Sequence, residues 1–299
     1  MGNELNRVFK ISPQETLDNR EISENKPLSI DESNALWDHF DEEFVFNDLT
    51  AYDEKELLGG TYLPNDVFQL EKLLIGTDDN GNIYVIDGKL QPNATYELNG
   101  NIYKTDEHGR IVSCEAIPKR SPENPRDNEA QRQAGGADRR PNDQGGHIIG
   151  RDMNGDGGIG NLVAMDSKIN QSDYKRMEND IKEALDDGKD VTTKTEISYS
   201  GDSERPDKIT VTVTADGKDT VYKFDNNLDG SLRDDVPQNG KETVQERLNE
   251  TGGEISSVKE EYDEHGNLVE TTVYITYKGE DGTNYRTSVV IEKQQGENS

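Results

Sequence analysis

Short stretches in which apolar and polar residues alternate dominate the chain from about residue 61 onward. Because successive side chains of a β-strand point to opposite faces, this period of two predicts strands with one buried and one exposed face. The alternation is clearest in six segments, at 191–200, 207–216, 220–225, 255–263, 267–278 and 284–293. These segments predict an antiparallel sheet, since such sheets commonly keep one face against a core and the other in water.

Helical periodicity replaces the alternation between about residues 171 and 185. The apolar positions recur there at the spacing of one helix face, at Tyr174, Met177, Ile181 and Leu185. Gly188 is a suitable end for this helix. Shorter helices are predicted at 242–250 and at 35–46, where aromatic residues interrupt an acidic N-terminal region. Together with the antiparallel strands, these helices give α+β as the predicted fold class.

One turn-like string occurs three times, at Thr77–Ile86, Thr105–Cys114 and Tyr262–Thr271. Each copy has an acidic pair, a polar residue, a glycine and a further polar residue before an alternating segment. Such strings favour a tight hairpin turn that leads into a strand. They predict repeated turn chemistry and not a repeat protein, and His108 and His265 within them are interpreted as solvated turn residues.

The chain of 299 residues is strongly acidic, with a formal net charge of −29, and only 30% of its residues are hydrophobic. That overall charge argues against a general nucleic-acid-binding protein, because phosphate recognition normally uses a basic surface. The charge is uneven, however, since residues 104–182 hold 13 basic and 14 acidic side chains. The central region is therefore nearly neutral, and the flanks carry almost all of the excess acidity.

The single cysteine, Cys114, excludes an internal disulfide framework. No apolar run is long enough to span a membrane, and the sequence starts without an apolar stretch of the signal-peptide type. We therefore expect no membrane insertion. A secreted protein that leaves the cell by a route without a signal peptide is the main expectation, and a cytoplasmic protein is the alternative.

Chemistry-bearing residues are concentrated after a Pro-, Arg- and Gly-rich segment at 118–146 that lacks periodicity. His147 follows two glycines in a short strand predicted at 146–149. Asn170 and Glu178 are spaced so that both can lie on one face of a helix. A neutral histidine can act as a general base, and a carboxamide oxygen can bind a hard divalent cation. The Glu178 carboxylate can orient a water molecule bound to the cation. Together, His147, Asn170 and Glu178 meet the needs of one-metal phosphodiester hydrolysis.

The order D-x-G-G-H, then N-L-V, then I-N-Q-x-x-Y-x-x-M-E resembles the DNA/RNA non-specific endonucleases, the ββα-metal or His-Me finger nucleases. The similarity extends over residues 90–225 and is greatest to Gram-positive toxins exported by type VII secretion. The resemblance implies a ββα-metal core with an antiparallel sheet. It also implies that His147 is the general base, that Asn170 binds the metal and that Glu178 holds a metal-bound water.

The same resemblance assigns supporting roles. Asp143 opens the motif, Asn161 supports it, and Lys182 stands where the family often has an arginine near the leaving group. Gln144 and Tyr174 depart from the commoner arginine and tryptophan. The arginine that stabilises the transition state is one of the first three substrate-binding candidates, which are Arg120, Arg126, Arg132, Arg139 and Arg140.

These observations predict three regions. An acidic, partly irregular extension covers residues 1–60, the endonuclease domain covers 61–225, and an acidic extension of a helix and strands covers 226–299. Because acidic flanks repel nucleic acid at low salt, removal of residues 240–299 is expected to raise cleavage at low ionic strength.

The functional hypothesis is an endonuclease that depends on Mg²⁺, accepts Mn²⁺, and cleaves DNA, RNA or both. We expect a secreted antibacterial toxin with an immunity or export protein as partner. The alternative is an acidic, calcium-stabilised extracellular binding module without catalysis. It rests on two loops, beginning at Asp152 and Asp225, that fit the first eight positions of a calcium loop. Val163 and Val236 replace the bidentate carboxylate at position twelve, so Asp/Gly-rich turns are favoured over Ca²⁺ sites.

Overall fold

A nine-stranded antiparallel sheet organises the part of the chain that the computed structural model describes, which is residues 6–11 and 70–293. The chain divides into two compact units, residues 1–8 with 73–299 and residues 9–72, and the sheet belongs to the first. The helix predicted at 35–46 and most of the predicted N-terminal extension lie outside the described residues.

The strands are β1 Asn6–Ile11, β2 Leu70–Thr77, β3 Ile83–Ile86, β4 Lys89–Leu90, β5 Thr95–Leu98, β6 Asn101–Thr105, β7 Ile111–Ala116, β8 Asp143–His147, β9 Leu162–Asp166, β10 Val191–Ser198, β11 Lys208–Ala215, β12 Lys218–Asp225, β13 Glu254–Tyr262, β14 Leu268–Lys278 and β15 Asn284–Glu292. The helices are α1 Asn128–Gln133, a π-helical turn Ile169–Tyr174, α2 Lys175–Asp186 and α3 Lys241–Thr251. Single 3₁₀ turns lie at Gly136–Asp138, Arg151–Met153, Ile159–Asn161 and Gln238–Gly240.

The large sheet follows chain order, β15-β14-β13-β12-β11-β10-β7-β6-β5, with one interruption where β10 pairs with β7. Residues 117–190 leave the sheet at this point and contain the ribbon β8–β9, the π-helical turn and α2. Met177 and Ile181 of α2 are buried in the same core as the sheet residues, and the Tyr174 ring lies 5.0 Å from that of Phe224. This packing fixes the helix that carries the predicted site on the sheet.

The predicted strands and the α+β class are confirmed. In β10, Val191–Ser198 is alternately buried and exposed, as a strand with one buried face requires. Among the helices in the described residues, none has the length and apolar character that crossing a bilayer demands.

The repeated string forms hairpin turns in all three places, as predicted. The side chains of Asp78, Asp106 and Asp263 each accept a hydrogen bond from the backbone N–H four residues later, at 2.8, 2.9 and 2.8 Å. The glycine of each turn has a positive φ, of 83°, 76° and 77°, which glycine adopts without strain. Turn chemistry of this kind is local, which is why the sequence predicted it.

Three local assignments differ from the sequence prediction. The segment at 118–146 contains α1, whose six residues bury only Ala130 and so leave no apolar period to detect. The strand predicted at 146–149 lies at 143–147. The helix predicted from residue 171 starts as a π-helical turn at Ile169 and continues as α2 to Asp186.

The strands after residue 225 continue the same sheet, because β12 pairs with β13 through Phe224 and Ser257. They nevertheless have their own apolar cluster, which includes Val244, Val258 and Ile275 and is separate from the cluster around α2. The boundary at residue 225 thus marks a change of core without a break in the sheet, and the division into domains stays a prediction.

Candidate active site

Most motif residues lie on the ribbon β8–β9 and on the π-helical turn and α2 that follow it, while Asn161 ends the 3₁₀ turn before β9. The ribbon register places His147 opposite Leu162. A Cβ on Gly145 would lie 2.8 Å from backbone atoms of α1, and one on Gly146 would lie 3.3 Å from Asn170 Oδ1. The glycine pair before His147 therefore allows β8 to approach both α1 and the π-helical turn.

A polar cleft of about 730 Å³ opens along this arrangement. It brings together His147, Asn170 and Glu178, the three side chains on which the predicted chemistry depends. Five cationic side chains also line the cleft, namely Arg126, Arg132, Arg139, Arg151 and Lys175. A cleft with this lining can hold an anionic group next to a histidine.

His147 is held in its neutral form. Burial lowers its pKa from 6.5 to about 4, and the positive charges of Arg151 and Arg126 act in the same direction. Its Nε2 atom is buried and has no hydrogen-bond partner among the described residues. At neutral pH the imidazole can therefore accept a proton.

Asn170 lies in the π-helical turn, a rare conformation that is frequent at functional sites. Its Nδ2 atom donates a 2.7 Å hydrogen bond to Gln144 Oε1 on β8. This bond fixes the amide plane and assigns the carbonyl oxygen, Oδ1, to the side near Gly146. The carboxamide oxygen is thus oriented by a neighbouring side chain.

Glu178 lies one turn into α2 with its Oε2 atom 3.4 Å from Lys175 Nζ. Burial raises its pKa, and the nearby charges of Lys175 and Lys182 oppose that shift. A Cβ on Gly150 would lie 2.9 Å from Glu178 Oε1 and 3.0 Å from Asp152 Oδ1. Gly150 therefore leaves room for two carboxylates at one end of the cleft.

The side chains in the cleft fit a hard divalent cation that keeps most of its water. Asn170 supplies a carboxamide oxygen and Glu178 a carboxylate, and both are oxygen ligands of the kind that Mg²⁺ prefers. Within the described residues, three or more His, Cys, Asp or Glu side chains do not meet in a metal cluster. A site with few protein ligands suits Mg²⁺, because this ion gives up its bound water reluctantly.

Asp143 does not line the cleft. Its carboxylate is fully buried and receives two hydrogen bonds from Arg205, of 2.7 and 2.9 Å. The Arg140 backbone N–H donates a third, of 2.8 Å. Arg205 was not among the predicted residues, because it lies 62 positions further along the chain. The structure shows Asp143 holding the start of β8 against the segment around residue 205.

Asn161 is also buried away from the cleft. Its Oδ1 atom accepts hydrogen bonds from the Ile149 N–H and the Tyr103 hydroxyl, and its Nδ2 atom donates to the Ile149 and Asp156 carbonyls. All of its polar atoms are used in fixing the chain just after His147. Its supporting role in catalysis stays a prediction.

Lys182 forms a 3.0 Å ion pair with Asp152 and does not line the cleft. Asp152 is also the first residue of one of the two loops that fit the start of a calcium-loop pattern. In the second loop, Asp225 accepts the Asn227 N–H, and Asp229 accepts hydrogen bonds from Ser231. Both loops thus use their carboxylates in contacts within the protein, as Asp/Gly-rich turns do.

The five candidate arginines separate into two groups. Arg120 pairs with Asp186 at 2.9 Å, and Arg140 donates to Asn227, so neither lines the cleft. Arg139 lines the cleft but donates to three backbone carbonyls, while Arg132 pairs with Glu129. Arg126 lines the cleft without an ion pair in the described residues.

Sequence reasoning missed two cations of the cleft. Arg151 lies shortly after His147 in the sequence, and it forms a 3.0 Å ion pair with Glu123. Lys175 begins α2 next to Glu178. Their spacing to the motif residues was visible in the sequence, but nothing in the pattern distinguished them from solvated charges. The role of Gln144 as partner of Asn170 was equally hidden, since 26 residues separate the two.

Residues 92–217 match the family model described as DNA/RNA non-specific endonuclease. The chain is also similar to the type VII secretion system protein EssD of Staphylococcus aureus strains USA300 and NCTC 8325 / PS 47, and to its namesake in strain Newman. Each match is 36% identical over 143 residues, covering 46% of this chain and 23% of the relative. The chain thus spans less than a quarter of the length of these curated relatives. The match to the DNA/RNA non-specific endonuclease family therefore covers residues 92–217, which include His147, Asn170 and Glu178.

Proposed function

We propose that this protein hydrolyses phosphodiester bonds of DNA and RNA with one Mg²⁺ ion, for which Mn²⁺ can substitute. The family supports a nuclease that acts on nucleic acid with a divalent metal. The observation that carries the finer proposal is the single cleft that holds a neutral His147, an oriented Asn170 oxygen and the Glu178 carboxylate.

In this proposal His147 takes a proton from a water molecule, whose oxygen then attacks the scissile phosphorus. Because Nε2 is shielded from solvent, Nδ1 is the nitrogen that we assign to accept this proton. The phosphorus–oxygen bond to the leaving group breaks, and that oxygen takes a proton from water. Asn170 and Glu178 would hold the cation, which when bound neutralises charge on the phosphate. Arg126 would contribute a further positive charge near the phosphate oxygens.

We further propose that the enzyme is a secreted antibacterial toxin with an immunity or export protein as partner. The support is the similarity to relatives that are named type VII secretion system proteins. The match covers 23% of those relatives. The proposal is therefore limited to the nuclease domain and to its export by a secretion system.

Plasmid and RNA cleavage, with and without a chelator, tests the proposed activity. We expect EDTA to stop cleavage and Mg²⁺ to restore it, and His147→Ala to lower the rate by about 10² to 10⁴. His265→Ala is the matched control, since His265 is an exposed turn residue. Asn170→Ala should raise the Mg²⁺ concentration needed for half-maximal rate, whereas Asn179→Ala on the exposed face of α2 should not.

Cleavage by His147→Ala at the wild-type rate would refute the assignment of the base. A stabilising effect of Ca²⁺ on thermal unfolding, without any cleavage, would instead favour the binding module.

A further inference from the structure

The π-helical turn that carries Asn170 is in direct contact with strands that lie beyond the family match. That match ends at residue 217, whereas β13 and β15 begin at Glu254 and Asn284. The contact is made by Asp173, whose side chain is 2% exposed. Both of its carboxylate oxygens are used by the C-terminal strands.

Ser256 of β13 donates a hydrogen bond from its hydroxyl to Asp173 Oδ2. Arg286 of β15 donates a 2.9 Å hydrogen bond to Asp173 Oδ1. The guanidinium of Arg286 also lies 5.0 Å from the centre of the Tyr274 ring, which holds it in place. These partners hold the buried carboxylate in position, because losing the Arg286 guanidinium would leave Oδ1 without its hydrogen bond.

A second contact secures the start of the same turn. Lys168, which precedes the π-helical turn, forms a 2.8 Å ion pair with Glu254 of β13. This pair is partly exposed and contributes little by itself. Together, Lys168 and Asp173 connect both ends of the turn to the C-terminal strands, with Asn170 between them.

Such support matters because a π-helical turn is a rare conformation, found mostly as a single turn and often at functional sites. The position of the Asn170 oxygen depends on the path of this turn, since its side chain has one partner, Gln144, on the other side. We propose that Asp173, Ser256 and Arg286 are positioning residues, through which the C-terminal strands hold the turn that presents Asn170 to the metal. This inference rests on the proposed function.

The acidic tail should then support cleavage instead of opposing it. Removing residues 240–299 eliminates Ser256 and Arg286, so it should lower cleavage at every salt concentration. Repulsion of substrate by the tail would predict the opposite, higher cleavage at low salt.

The test compares Arg286→Gln and Ser256→Ala with Arg247→Gln, a control on α3 whose arginine pairs with the exposed Glu250. For each folded full-length variant, cleavage is measured against Mg²⁺ concentration, and Mn²⁺ binding is measured by calorimetry. We expect the half-saturating Mg²⁺ concentration to rise about 10-fold in Arg286→Gln, as for other residues that orient metal ligands. Arg286→Lys should recover part of the loss, since it keeps a donor to Asp173.

The two hypotheses fail in different ways. A wild-type protein without metal-dependent cleavage would refute the proposed function. The positioning role would be overturned by a different result, in which the wild type cleaves and both Arg286→Gln and Ser256→Ala unfold at lower urea concentrations. In that result both variants keep the wild-type Mg²⁺ saturation and Mn²⁺ affinity. Ser256→Ala removes a single hydroxyl, so it provides this comparison even if Arg286→Gln does not fold.

Discussion

Replacing Asp143 separates a structural role from a catalytic one. The residue opens the motif, yet its side chain is 0% exposed and that of its partner, Arg205, is 4% exposed. Arg205 also donates a 2.8 Å hydrogen bond to the Asn226 carbonyl. In Asp143→Asn the guanidinium stays buried at this position while its carboxylate partner is lost.

Breaking a buried ion pair by removing one partner typically lowers the free energy of unfolding by about 3–5 kcal/mol. The upper half of this range applies here, because both hydrogen bonds that Arg205 donates to Asp143 are short and both side chains are excluded from water. Arg205→Met should destabilise the protein similarly. The double variant Asp143→Asn/Arg205→Met leaves no uncompensated charge. Its loss of unfolding free energy should therefore be smaller than the sum of the losses in the two single variants, with a coupling energy of about 1–3 kcal/mol.

Urea denaturation followed by far-ultraviolet circular dichroism measures the four unfolding free energies, and plasmid cleavage without urea measures activity. We expect the loss of activity to follow the loss of stability across the four proteins. An Asp143→Asn variant that is as stable as wild type but cleaves poorly would refute this reasoning and give Asp143 a direct role in catalysis.

Three further predictions concern the cleft. Gln144→Leu removes the bond that orients Asn170, so it should raise the half-saturating Mg²⁺ concentration about 10-fold, whereas Gln245→Leu on α3 should not. Because the folded protein holds the pKa of His147 at about 4 instead of 6.5, the unfolded chain binds a proton first as pH falls. The free energy of unfolding should then drop by about 1–2 kcal/mol between pH 7 and pH 5, and by less in His147→Gln, as urea denaturation would show. Arg126→Gln should lower kcat by about 10²-fold, whereas Arg120→Gln should cleave like wild type; equal rates for both would remove Arg126 from the mechanism.

The sequence determined those features that depend on neighbouring residues. Alternation of period two predicted the strands from β10 to β15, because side-chain direction in a strand is set residue by residue. The hairpin turns at Asp78, Asp106 and Asp263 followed from an Asx side chain and a glycine a few positions apart. The order of His147, Asn170 and Glu178 was likewise visible, and the structure places these three in one cleft.

Which charged residues are partners depends on the tertiary fold. Asp143 pairs with Arg205, Lys182 with Asp152, and Asp173 with Arg286, across separations of 62, 30 and 113 residues. Spacing along the chain carries no information about such contacts, because they form only when the sheet brings distant segments together. For the same reason the sequence marked the acidic C-terminal strands as a separate flank, whereas the fold places them in the sheet and against the turn that carries Asn170.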